Sequence, residues 1–221
     1  MLKKQKMKIG ILGTGMVGNS IGTKLVQLGH QVMMGSRTAK NEKALAWVSA
    51  AGNGASAGTF ADAASYGEML FNCTAGIASL AALEMAGKEN MKGKVLVDVG
   101  NTLDFSKGMP PTLTVCNTDS LGEQIQRAFP ETKVVKSLNT MNCMLMVNPA
   151  SLPGEHCVFV CGNDADAKTK VTDLLKTFGW KNLIDLGDIS GSRGTEMMMP
   201  IWIRMYGAFQ SVNFNYSIIR G

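Results

Sequence analysis

Histidine is nearly missing: His30 and His156 are the only two in 221 residues. His30 falls in the turn at 28–31 and His156 at the start of an expected strand. Both read as turn or packing residues, since a catalytic histidine usually comes with a partner that orients it. Paired cysteines are missing too. Cys73, Cys116, Cys143, Cys157 and Cys161 are odd in number and form no Cys-x-x-Cys motif, so neither a disulfide framework nor a metal site is expected. Cys157 and Cys161 share one face of an expected strand but lie about 13 Å apart along it, too far to bridge. They read as small core residues. There is little excess charge of one sign: Lys3, Lys4, Lys6 and Lys8 supply most of the net +5, which is no nucleic-acid footprint. The basic start runs into a strand broken by glycines rather than a signal-peptide core. The longest late apolar run, 197–209, contains Arg204 and is shorter than a bilayer span. A cytoplasmic protein without a membrane segment is expected.

What is present is a hydrophobic content of 45%, enough for one good core, and an ordered set of strand and helix signals. The signals organise around Ile9-Gly10-Ile11-Leu12-Gly13-Thr14-Gly15-Met16-Val17-Gly18, an apolar strand, a glycine turn and a helix that ends near Leu28-Gly29. Gly13, Gly15 and Gly18 have Gly-x-Gly-x-x-Gly spacing. The first glycine allows the tight turn, the second lets a pyrophosphate approach the backbone, and the third lets the helix press on its strand. Gly22 continues the small face one turn on. The candidate phosphate cradle is therefore Gly13, Thr14, Gly15, Met16, Val17 and Gly18, with the helix N-terminus supplying N–H groups and positive dipole.

The second strand, 31–35, ends in Gly35-Ser36-Arg37. An acidic residue normally closes this strand where NAD is bound, to accept from the ribose 2′-hydroxyl. Here a hydroxyl and a guanidinium follow instead, which suits a 2′-phosphate: Arg37 can pair with it bidentately, Ser36 can donate, and Lys40 can assist. NADP(H) is the expected cofactor.

Helix signals follow over 39–51 and 61–66, with a strand at 55–59 between them. A fourth strand, 69–74, ends at Thr74-Ala75, small residues suited to close approach by a nicotinamide ribose at the switch point. A helix over 77–91 leads to a fifth strand at 94–99. The long connection 100–117, containing Asn101, leaves a strand's carboxyl end, so it serves equally well as a binding loop or as a plain extended segment. A helix over 118–129, capped by Asn117 or Thr118, precedes the sixth strand, 133–138, which ends in Asn139-Thr140-Met141. Strands at 156–161 and 182–186 flank a helix at 165–178. The repeating units imply parallel pairing. The expected fold is α/β, a Rossmann-type, doubly wound, mainly parallel sheet in a single domain over 1–221. The sheet and its helices occupy 1–189, and a C-terminal helical extension occupies 190–221. That last helix, kinked at Pro200 and apolar nearly all round, is expected to be buried on more than one side, as core, dimer contact or ligand wall.

The order of these motifs resembles the coenzyme F420-dependent NADP oxidoreductases and their bacterial relatives. The resemblance runs from Ile9-Gly10-Ile11-Leu12-Gly13-Thr14-Gly15 and Val32-Met33-Met34-Gly35-Ser36-Arg37 through Val134-Val135-Lys136-Ser137-Leu138-Asn139-Thr140 to Val160-Cys161-Gly162-Asn163-Asp164 and Ser192-Arg193-x-x-Glu196. It implies pyrophosphate on Gly13 to Gly18, 2′-phosphate on Ser36 and Arg37, and a deazaflavin against the nicotinamide at the strands' carboxyl ends. The chain has Asn139 where the archaeal reductases have a histidine, and its loop after Val99 differs. The cytosolic domain of the transmembrane metalloreductases is also similar and passes hydride to a flavin (FMN or FAD).

Direct hydride transfer between two stacked rings needs alignment more than a side-chain acid, and no acid/base couple stands out in the sequence. The expected second substrate is coenzyme F420 or a flavin, seated at Asn139, Thr140 and Met141, in a homodimer. The alternatives are a reductase of a small carbonyl or imine compound and a non-catalytic NADP-binding redox sensor.

Overall fold

Residues 6–221 are described by the computed structural model. Ile9, Ile11 and Leu12 are fully buried in β1 (Lys8–Leu12), as expected of a parallel strand covered on both faces. The chain continues through α1 (Met16–Gln27), β2 (Gln31–Ser36), α2 (Glu42–Ala51), β3 (Ala55–Thr59), α3 (Phe60–Tyr66), β4 (Met69–Asn72), α4 (Gly76–Ala86), α5 (Lys88–Met91) and β5 (Val95–Asp98). A small antiparallel hairpin, β6 (Leu103–Asp104) and β7 (Thr112–Leu113), precedes α6 (Leu121–Ala128) and β8 (Lys133–Ser137). Then come α7 (Cys143–Val147), a 3-10 turn at Pro149–Ser151, β9 (Cys157–Gly162), α8 (Ala165–Phe178), β10 (Asn182–Asp185), α9 (Gly191–Met197) and α10 (Met199–Phe209).

Among the described residues the main sheet has the order β10-β9-β8-β5-β4-β1-β2-β3. The order reverses between β1 and β4, and the crevice at their carboxyl ends is the topological switch point. Alternation along each strand divides the core. Ile11 and Val97 face a layer holding Ile21 and Leu25 of α1, Trp47 of α2 and Leu174 of α8. Leu12 and Leu96 face Phe60 of α3, Leu83 of α4 and Ile125 of α6. Each such side chain contributes about 1.5–3 kcal/mol by burial, so two covered faces hold the switch point rigid.

The expected α/β fold is what forms, with local corrections. Helix α2 begins at Glu42 rather than residue 39, because the Asn41 side chain accepts from the Ala44 N–H at 3.1 Å and caps it there. The helix expected over 77–91 breaks at Gly87 (φ 89°) into α4 and α5. Helix α6 is capped by Ser120, not by Asn117 or Thr118; Asn117 is itself left-handed (φ 63°). Strand β9 runs antiparallel to β8, because α7 and the 3-10 turn bring the chain back on the same edge without a full crossover. The short helix α7 had no expectation at all.

The C-terminal extension departs most. It is two helices meeting at Met198, with Pro200 in the first turn of α10, where its missing N–H leaves no gap. Of α10 only Met199 and Ile203 are buried, while Ile201, Tyr206 and Phe209 are exposed. Burial on more than one side therefore does not hold within this chain.

Candidate functional site

The glycine turn has the geometry its spacing implies. Gly13 (φ 123°) lies so close to β4 that a Cβ there would sit 2.7 Å from the Cys73 carbonyl oxygen, and a Cβ on Gly18 would sit 2.2 Å from that of Gly13. Gly15 differs: a Cβ there meets nothing within 4 Å, so open space lies in front of the helix N-terminus. No side chain caps the first turn of α1, and its leading N–H groups have no intrahelical acceptor. An uncapped, outward-facing turn of this kind has the N–H groups and dipole that suit an anion. Gly13 N–H donates to the Gly35 carbonyl at 3.0 Å, which ties the turn to the end of β2.

At that end Arg37 and Lys40 are exposed, and neither has an ion pair or hydrogen bond among the described residues. Two unpaired cations beside the cradle suit a phosphate ester. Ser36 is buried, and its hydroxyl donates to the Thr38 carbonyl at 2.6 Å, so it shapes the turn that presents Arg37. A cavity of about 700 Å³ opens against the turn, lined by Thr14, Gly15 and Met16, by Lys43 and Trp47 of α2, and by Asn142, Cys143 and Met144. Lys43 is a further cation that the sequence reading missed, and its spacing after Arg37 was the available signal. Val17 is half-buried on α1.

Thr74 and Ala75 emerge at the switch point as expected, and the Thr74 hydroxyl donates to Asn72 Oδ1 at 2.6 Å. Asn101 and Asn139 come together: Asn101 Nδ2 donates to the Asn139 carbonyl at 2.8 Å, and Asn139 Nδ2 donates to Asn101 Oδ1 at 3.0 Å. Leu138, buried and left-handed at φ 64°, turns the chain so that this exchange can form. Thr140 is buried, and Met141 packs into the apolar core at 5% exposure. Asn142, Cys143 and Met144, just beyond it, reach the cavity.

The sequence also hid a buried ion cluster. Asn72, Asp98 and Lys136 sit directly opposite one another on β4, β5 and β8, and all are closed to solvent. Lys136 Nζ lies 2.8 Å from Asp98 Oδ2, 2.8 Å from Glu196 Oε1 of α9 and 2.5 Å from the Gly100 carbonyl. Burial pulls the Lys136 pKa down, but the two carboxylates outweigh it and the net shift is upward. Beside it, burial pushes the Cys161 thiol up to about 11. The signal was Lys136 itself, a lysine inside Val134-Val135-Lys136-Ser137-Leu138, since a charge in a covered strand requires partners. The partners lie 38 residues before it and at position 196, so no local pattern names them.

A doubly wound sheet with an open phosphate turn at its switch point and free cations after β2 defines a dinucleotide-binding protein of the Rossmann class. Residues 8–102 match the family model described as NADP oxidoreductase, coenzyme F420-dependent. The F420-dependent NADP reductase of Methanocaldococcus jannaschii is 30% identical over 93% of this chain and 95% of its own. A solved protein of Arthrobacter sp. FB24, carrying a provisional F420-dependent NADP-reductase name, is 52% identical. It has a TM-score of 0.94, with 97% of this chain and all of that chain covered. The metalloreductase STEAP3 of Rattus norvegicus is 27% identical over 98% of this chain, which spans 43% of that protein. The chain belongs to the family of coenzyme F420-dependent NADP oxidoreductases, and is an NADP-dependent oxidoreductase of that family.

Proposed function

We propose that this chain transfers a hydride between NADP(H) and a planar redox cofactor, deazaflavin F420 or a flavin. The observation that carries the cofactor half is the open space over Gly15 at an uncapped helix N-terminus, with Arg37 and Lys40 unpaired beside it. Gly13, Thr14, Gly15, Met16, Val17 and Gly18 hold the pyrophosphate; Arg37, Lys40 and Lys43 hold the 2′-phosphate on the turn shaped by Ser36. Thr74, Ala75 and Asn101 face the nicotinamide ribose. When bound, the cofactor supplies a hydride from C4 of its ring; the acceptor takes that hydride and one proton, leaving NADP+ and the reduced ring.

Two points support a ring as acceptor. The family name specifies coenzyme F420, and the one ammonium buried near the switch point among the described residues has all three hydrogens engaged by Asp98, Glu196 and Gly100. Lys136 thus has no proton placed to give to a carbonyl oxygen, whereas a reduced ring takes its proton from solvent. Asn139 and Thr140 form the floor on the acceptor side, and Asn142 and Met144 its open wall. The exposed Ile201, Tyr206 and Phe209 of α10 fit a second copy of this chain, giving a homodimer.

The test is single-turnover oxidation of enzyme-bound NADPH by F420, FMN and a panel of carbonyl and imine compounds. F420 or FMN should oxidise bound NADPH well above the rate for free NADPH. Acceleration by a carbonyl or imine compound alone would replace this reading with that of a small-molecule reductase.

A further inference from the structure

Every loop leaving the carboxyl ends of β4, β5 and β8 is tied into one hydrogen-bonded network, and Lys136 is its centre. Asp98 Oδ1 accepts from Asn72 Nδ2 at 2.7 Å and from the Gly100 N–H at 3.2 Å. Gly100 is thereby held on both sides, its N–H by Asp98 and its carbonyl by Lys136. The next residue, Asn101, exchanges hydrogen bonds with Asn139, and its carbonyl accepts from the Gly76 N–H at 3.1 Å. On the other side, Glu196 accepts from the Leu121 and Gly122 N–H groups at 2.9 and 3.1 Å. The carboxylate that pairs with Lys136 therefore also caps α6 and anchors the C-terminal helices.

A covered central strand holds hydrophobic side chains more cheaply than a charge. An ion cluster retained there, whose members hold the Gly100 peptide on both sides and the first turn of α6, has a geometric consequence that an apolar side chain would not have. We infer that Lys136 and Glu196 are positioning residues for hydride transfer: one buried pair sets both the Gly100–Asn101–Asn139 segment, which joins the nicotinamide ribose side to the acceptor side, and the C-terminal helices. Neither residue touches substrate. They act through the Gly100 peptide, the Asn101–Asn139 exchange and the cap on α6. This rests on the hydride-transfer reading above. Transfer between two rings is steep in their separation, and a displacement of about 1 Å lowers rates on the order of 100-fold. The phosphate cradle lies on β1, α1 and β2, and among the described residues no side chain of the network hydrogen-bonds to the glycine turn or to Arg37, Lys40 and Lys43, so the proposed phosphate contacts lie outside it.

The experiment compares wild type with Glu196→Gln, which leaves the neutral Lys136–Asp98 pair, and with the double variant Lys136→Met/Glu196→Gln, which leaves Asp98 to its Asn72 and Gly100 N–H donors. Each is studied at a temperature where circular dichroism shows it fully folded. Calorimetry gives the NADPH dissociation constant, and single-turnover kinetics gives the rate of bound-NADPH oxidation by F420 and FMN. The expected result is an NADPH dissociation constant within about 3-fold of wild type and a transfer rate lowered at least about 10-fold. A lowered melting temperature with an unchanged transfer rate, or equal losses in binding and rate, would overturn the positioning role. If wild type itself transfers hydride to neither ring, the functional reading fails first and the positioning role falls with it.

Discussion

At the scale of single residues, the three glycines of the turn carry different physics, and substitution separates them. Gly15→Val places its side chain in open space, so the protein is expected to fold normally by circular dichroism yet to lose binding of NADPH and NADH alike, if that space is the one proposed for the pyrophosphate. Normal NADPH binding by the variant would reduce the turn to a structural element. Gly18→Ala drives a Cβ to 2.2 Å from the Gly13 carbonyl oxygen and is expected to lower stability instead. Arg37 is exposed and unpaired, so Arg37→Ala should leave stability alone. A charge-assisted hydrogen bond contributes about 1.5–3 kcal/mol, so the variant should lose on the order of 10- to 150-fold in NADPH affinity and little in NADH affinity. Equal losses for both cofactors would refute the 2′-phosphate role. Met141 was a candidate acceptor contact by its place in the chain. Its side chain lies in the core, so Met141→Ala is expected to cost about 2–5 kcal/mol of stability as a cavity, read in urea unfolding. These residues show what a local stretch of sequence can specify about backbone geometry. Gly13, Gly15 and Gly18 act through the backbone of one contiguous loop. Met141 depends on which way one turn points, and that is set by Leu138 and by the neighbours that pack on it.

At the scale of elements, the cluster joining β4, β5, β8 and α9 makes stability depend on alkaline pH. The Lys136 pKa is raised in the folded protein above its ordinary 10.5. Its contribution is therefore complete below 10.5 and declines as pH rises through the raised folded value, where the folded state binds the proton that the unfolded state has released. Between pH 10.5 and the raised folded value, the unfolding free energy of wild type should fall more steeply than that of Lys136→Met/Glu196→Gln. Parallel pH dependence of the two would show that the ammonium does not contribute. Element boundaries were legible where a cap or breaker was local, as with the run from β1 through β2 and the span of α8. They were misread where two side chains competed for one role, as Ser120 did with Thr118, or where a single glycine split a helix, as Gly87 does.

At the scale of the whole molecule, a ligand that binds the folded form stabilises it by mass action. NADPH at about 100 times its dissociation constant adds about 2.7 kcal/mol, which for a chain of this size raises the melting temperature by roughly 5–10 °C. NADH at the same concentration should raise it less, and a scan showing no shift with NADPH would exclude the cofactor site. The exposed apolar side of α10 makes a second prediction at this scale. Phe209→Glu is expected to shift sedimentation from dimer towards monomer, and a wild type that sediments as a monomer would leave that face to another role.

The amino-acid sequence by itself determined the β1–turn–α1 cradle, the cationic end of β2 and the alternating α/β order. Each rests on near-neighbour rules: glycine conformation, strand and helix periodicity, and a charged residue at a fixed distance from a motif. Only the tertiary structure decided the rest. The antiparallel return of β9, the exposure of α10, the Asn101–Asn139 exchange and the partners of Lys136 depend on which strands come to lie side by side. That adjacency is set by packing two covered faces over the whole sheet, a long-range balance that no local stretch of sequence contains.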